Sequence, residues 1–120
     1  MNRVALCAII ALAVAATSAA LVQAKTTLKL RADPDGALKF NKKTLRAAPG
    51  RVTVRLANPR TSGKPHAVEV EGKGKEKASG VASPGETTSV TLKLKKGRYE
   101  FYCPVGNHKA AGMKGTLIVK

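Results

Sequence analysis

Period-two alternation of apolar and polar residues, broken at short intervals by glycine or proline, is the feature that most limits how this chain can fold. Residues 51–57 read RVTVRLA and put Val52, Val54 and Leu56 on one face. Residues 87–94 do the same with Val90, Leu92 and Leu94. Side chains of a strand point alternately to opposite faces, whereas a helix repeats every ~3.6 residues, so the pattern argues for half-buried strands. Further strands are predicted over residues 26–31, 66–70, 98–103 and 116–119, with short ones at 38–40 and 78–82. Turn signals separate them: Asp33-Pro34-Asp35-Gly36, Ala48-Pro49-Gly50, Ser83-Pro84-Gly85-Glu86 and Lys95-Lys96-Gly97. Residues 58–65 read as a loop, 72–77 as a solvated turn, and 104–115 as a long loop. No long helical pattern is present. About seven or eight short strands with Gly- and Pro-rich turns imply an all-β fold, a β-sandwich or small barrel.

The first residues follow a different rule. Asn2 and Arg3 precede an apolar, alanine-rich run from Val4 to Val22, and Val22-Gln23-Ala24 is a small-x-Ala cleavage site. Residues 1–24 are therefore expected to be a signal peptide, and 25–120 a single domain. An uncleaved membrane anchor is the alternative, because the run is nearly long enough to span. Cleavage would remove Cys7 and leave Cys103 as the one cysteine of the mature protein. A lone thiol in an oxidising compartment has no internal disulfide partner, and metal ligation or burial in the core would each account for it.

The stretch YEFYCPVGNHKAAGMKG, which opens at Tyr99, gathers the residues with chemistry. Four residues separate Cys103 from His108, and four more separate His108 from Met113. His66, at the start of a predicted strand and just after Pro65, is the other of the two histidines in the chain. One thiolate and two imidazoles form a near-trigonal plane that suits copper, and a weak thioether completes such a site along its axis. Thiolate and thioether favour Cu(I), while imidazole serves both oxidation states. Each residue alone has an ordinary structural explanation, but the four together point to one type 1 copper ion held by His66, Cys103, His108 and Met113.

These motifs resemble the copper-binding loop of the plastocyanin/azurin family, the cupredoxins or blue copper proteins. The aromatic strand Tyr99-Glu100-Phe101-Tyr102-Cys103 is similar to the family's penultimate strand, and Pro65-His66 to its upstream ligand motif. Asn58 resembles the asparagine that often ends the strand before that motif. The resemblance implies an eight-stranded Greek-key sandwich and one-electron shuttling between larger redox proteins. It implies His66 as the buried equatorial ligand, His108 as the exposed one and electron portal, and Met113 as the axial ligand. Many relatives carry Asn after the upstream histidine, where this chain has Ala67. Pro104 has no N–H, so the Ala67 and Val105 amides are the expected donors to the Cys103 sulfur.

Charge bears on partners. The chain holds 22 Lys and Arg against 7 Asp and Glu, a formal charge of +15, and should be drawn to acidic surfaces. Nucleic acid is not expected, since the chain reads as exported and its few aromatics lie mostly in one strand. The expected partners are redox proteins with an acidic docking surface, steered by Lys64, Lys109 and Lys114 at the portal. A membrane surface is compatible but not required, and a monomer is expected. Location is expected to be periplasmic, cell-surface or secreted. The competing function is copper storage or delivery with the same ligands. An enzyme is not expected, since oxidases and nitrite reductases of this chemistry need further copper sites, and both histidines are already used.

Overall fold

The computed structural model describes residues 10–15 and 24–120. Most of the leader expected at 1–24 lies outside the described residues. Residues 10–15 carry no regular structure, and Ile10, Leu12 and Val14 are exposed. Every described strand and every core residue among the described residues lies within 24–120.

Among the described residues eight strands form two sheets. β1 (Ala24–Arg31), β3 (Gly50–Ala57) and β6 (Thr87–Leu94) make a three-stranded sheet in that order. β2 (Thr44–Ala47), β8 (Lys114–Val119), β7 (Gly97–Tyr102), β4 (Glu69–Gly72) and β5 (Lys75–Ala78) make a five-stranded sheet in that order. β1 runs parallel to β3, and β2 parallel to β8; the other pairs are antiparallel. The chain passes repeatedly between the sheets, as a Greek-key sandwich requires.

The inward residues are those the alternation selected. Val52, Val54 and Leu56 of β3, with Val90, Leu92 and Leu94 of β6, face Val70, Tyr99, Phe101, Leu117 and Val119 of the larger sheet. Each such burial contributes roughly 1.5–3 kcal/mol. Phe101 anchors the centre, with its ring centroid 5.7 Å from that of Phe40. Gly115 lets β8 pass over this ring: a Cβ there would collide with the Phe101 ring and the Lys43 carbonyl.

Strand positions differ from expectation in three places. Leu38–Phe40 is not a strand; Phe40 makes only a single bridge with Ala32, because its role is to bury a ring from a loop. The strand is instead Thr44–Ala47, whose one buried side chain, Leu45, gave too short an alternation to register. Residues 72–77 are not simply a turn. Only Lys73 and Gly74, both with positive φ, separate β4 from β5. β5 is an exposed edge strand, with lysines along it that discourage edge pairing. The strand expected at 78–82 reduces to a bridge between Ala82 and His66.

Candidate metal centre

Three neighbouring strands of the larger sheet, β8, β7 and β4, deliver their ends to one pole of the sandwich. His66 lies just before β4, Cys103 directly follows β7, and Met113 directly precedes β8. The Cys103 N–H donates to the Met113 carbonyl at 3.0 Å, continuing the β7–β8 ladder one step beyond its last pair, Tyr102 and Lys114. Residues 104–112 are thus a loop closed at its base. Inside it the His108 N–H donates to the Val105 carbonyl at 3.1 Å, and the Met113 N–H to the His108 carbonyl at 3.1 Å.

All four expected residues meet at this pole. His66, Cys103 and Met113 are fully buried, and His108 is partly exposed. The Cys103 Sγ lies 3.9 Å from His66 Nδ1 and 3.5 Å from His108 Nδ1. The imidazole centroids are 5.0 Å apart, at 55°. Single donor atoms of His66, Cys103 and His108 lie within 4.8 Å of one another. One sulfur and two imidazole nitrogens converging in a buried space fit a copper ion of the type 1 class. Nδ1 is the His66 ring nitrogen beside the Cys103 sulfur, while Nε2 is buried without a hydrogen-bond partner. Burial first, then the His108 and Lys64 charges, hold the His66 pKa below its ordinary value. A neutral ring is the form that ligates metal.

The upstream ligand is braced by a polar knot. Asn58, buried at the end of β3, donates from Nδ2 to the carbonyls of Lys64 at 2.7 Å and Ala82 at 2.9 Å. Its Oδ1 accepts from the Ser62 hydroxyl at 2.6 Å. The Ala82 carbonyl also accepts from the His66 N–H at 3.0 Å, and the Ala82 N–H donates to the His66 carbonyl at 2.8 Å. Asn58 therefore holds both chain segments that fix His66. Asn58 was legible by resemblance; Ser62 was not, since a serine in a polar loop carries no period or spacing to mark it.

A second network lies on the outer face of the same sheet. Glu69 pairs with Tyr102 and Glu71 with Glu100 across β4 and β7, while Glu76 faces Glu71 across β5. The Tyr102 hydroxyl donates to Glu69 and lies 3.0 Å from Glu71 Oε2. Lys109, from the copper loop, reaches back to Glu100 at 2.9 Å and sits 3.8 Å above the Tyr102 ring. The placement of Glu100 and Tyr102 on one outward face was readable from the alternation; their acidic neighbours from β4 and β5 were not. Two of the three lysines expected at the portal are thus already engaged. Lys109 pairs with Glu100, and Lys64 Nζ donates to the Gly36 carbonyl at 2.6 Å. The amide bonds expected at the Cys103 sulfur are not found: its polar partners among the described residues are the two imidazoles.

Residues 26–120 match the family described as copper binding proteins, plastocyanin/azurin family. The chain belongs to this family. Copper is accordingly its cofactor, in a site of the type 1 class. Solved cupredoxin structures share its fold. Auracyanin B is 24% identical with a TM-score of 0.71, over 85% of this chain and 93% of that one. Auracyanin from Roseiflexus castenholzii is 22% identical with a TM-score of 0.70, over 79% and 97%. Auracyanin A, a "blue" copper protein from Chloroflexus aurantiacus, is 24% identical with a TM-score of 0.67, over 81% and 100%. No curated protein matches the chain in sequence.

Proposed function

We propose that this cupredoxin is a one-electron carrier whose copper would be held by His66, Cys103, His108 and Met113. The observation that carries the reading is the convergence of a buried thiol and two Nδ1 atoms on one point, with three of the four side chains fully enclosed. Copper bound there would supply a Cu(II)/Cu(I) couple for one-electron exchange. Enclosed donors that need not rearrange keep the barrier to that exchange low. They also argue against storage or delivery, which needs a coordination face open to an incoming ligand. Only His108 reaches the surface, among the exposed small residues Gly106, Ala110, Ala111 and Gly112, so electrons would pass through its ring edge. With both histidines in one centre, the chain has no second histidine site for an oxidase or nitrite reductase reaction, and we infer no enzymatic activity.

The partner is a redox protein with an acidic face, a reading supported by the net charge of the chain and by the exposed Lys114 beside the loop. The leader supports export and action outside the cytoplasm. No helix among the described residues is long and apolar enough to cross a membrane.

The test is the visible spectrum of residues 25–120 titrated with Cu(II), then reduced with ascorbate. An intense blue band that saturates at one copper per chain, bleaches and returns on reoxidation is expected, and Cys103→Ala should abolish it. A pale spectrum, or a blue band that survives Cys103→Ala, would refute the site.

A further inference from the structure

The end of the sandwich opposite the copper ligands has a chemistry of its own. The strand registers place the β1 start, the β2–β3, β4–β5 and β6–β7 turns and the C-terminus together there: Ala24 pairs with Gly50, Gly50 with Leu94, and Val119 with both Ala47 and Gly97. Lys73 packs where a Cβ on Gly97 would fall, which brings the β4–β5 turn to the same level. β3 has eight residues, so this pole lies about 25 Å from the copper pole.

Its charge has one sign. Lys25, Lys73, Lys95, Lys96 and Lys120 occupy the turns and chain ends, all exposed. Lys75 and Lys93 flank an open cleft with Lys95, Pro49, Gly50 and Leu94, where the edges of the two sheets meet. None of the seven acidic residues lies in these turns or ends. The nearest carboxylates are Glu71 and Glu76, one pair beyond the turn, with Glu76 lining a neighbouring cleft with Lys75 and Lys93. The one ion pair among the described residues, Lys109 with Glu100, is elsewhere. Among the described residues the cations of these turns and ends therefore make no ion pair, and lysines outnumber the nearby carboxylates.

We propose that this copper-distal pole seats the domain on an anionic phospholipid surface. The cations are spread over a whole end of the domain, which suits a broad sheet of phosphate charge better than a compact acidic patch. A redox protein docked here would stand at the wrong end of the molecule. The apolar run 4–22 stops just before β1, whose first residue, Ala24, is at this same pole. A leader left uncut would tether the domain from the side that bears the charge. Seated in this way, the domain turns His108 away from the bilayer and toward soluble partners.

Juxtamembrane lysines near an anionic surface each contribute about fivefold in binding. The experiment is partition of residues 25–120 onto vesicles of phosphatidylglycerol mixed with phosphatidylcholine, against vesicles of phosphatidylcholine alone. Binding to the anionic vesicles alone, weakening as salt rises, is expected. The triple variant Lys93→Gln, Lys95→Gln, Lys96→Gln should lose roughly a hundredfold in partition. The control Lys29→Gln, Lys39→Gln, Arg55→Gln removes the same charge elsewhere and should lose less than tenfold. Equal losses in the two variants would overturn the proposal in favour of undirected attraction. Equal binding to both vesicle types, or retention on polyglutamate without vesicle binding, would overturn it as well, the latter in favour of an acidic protein partner.

Discussion

Replacing Asn58 with alanine should uncouple the upstream ligand from the sandwich, and the structure sets the size of the effect. Three hydrogen bonds disappear, to the Lys64 and Ala82 carbonyls and from the Ser62 hydroxyl. Neither carbonyl is left bare. Ala82 keeps the His66 N–H, and Lys64 keeps a longer contact from the Ser62 hydroxyl at 3.3 Å. The loss is therefore close to the net worth of three bonds, about 3 kcal/mol. In a domain of this size that lowers Tm by about 12–24 °C. Ser62→Ala removes one of the three bonds and should cost about 1 kcal/mol, or about 4–8 °C. Because the two residues share a bond, their effects should not add, although Ser62→Ala in the Asn58→Ala background still removes the remaining contact to the Lys64 carbonyl. The assay is thermal unfolding followed by circular dichroism, on metal-free protein so that copper affinity does not enter Tm. A drop of under 5 °C for Asn58→Ala, or strictly additive single effects, would refute the bracing role.

Three further outcomes follow from the packing and charge. Gly115→Ala should destabilise the domain by about 2 kcal/mol, since the new methyl meets the Phe101 ring and a backbone carbonyl; a denaturant midpoint equal to that of the parent would contradict this. In metal-free protein the His66 ring should titrate below 6.5 by NMR, because burial disfavours its charged form. A His pKa lowered by folding means stability that is held above 6.5 and lost as pH falls through the folded value, so Tm of the metal-free protein should drop on acidification from pH 7. Burial and the neighbouring Glu76 and Glu71 raise the Glu69 pKa above 4.5. Stability from that shift is present at low pH and lost as pH rises through the folded value, so Glu69→Gln should raise Tm at pH 7 and leave it unchanged below pH 4.

Much of the fold was legible in the sequence because the buried faces of β3, β6 and β7 follow strict alternation, and alternation is what burial on one face of a sheet writes into a chain. β2 escaped because one buried leucine makes no period. β5 escaped because an exposed edge strand has no inward face to mark it. The four candidate ligands were readable because sulfur and imidazole are scarce in this chain, so their spacing stood out. The Ser62 bond and the reach of Lys109 to Glu100 were not, because serine, lysine and glutamate are common on surfaces and only three-dimensional proximity distinguishes the ones that matter.

The parallel pairing of β2 with β8 joins Thr44 to Thr116 and Ala47 to Val119, partners 72 residues apart in the chain. Contacts so far apart along the chain form late and slowly. The larger sheet stays unfinished until its last strand arrives, and the loop carrying Cys103, His108 and Met113 is closed by that same strand. The site therefore cannot assemble until β8 has joined the larger sheet. The Cys103 thiol meets its two imidazoles only when that strand docks, so a metal-ready site is the product of the last step of folding.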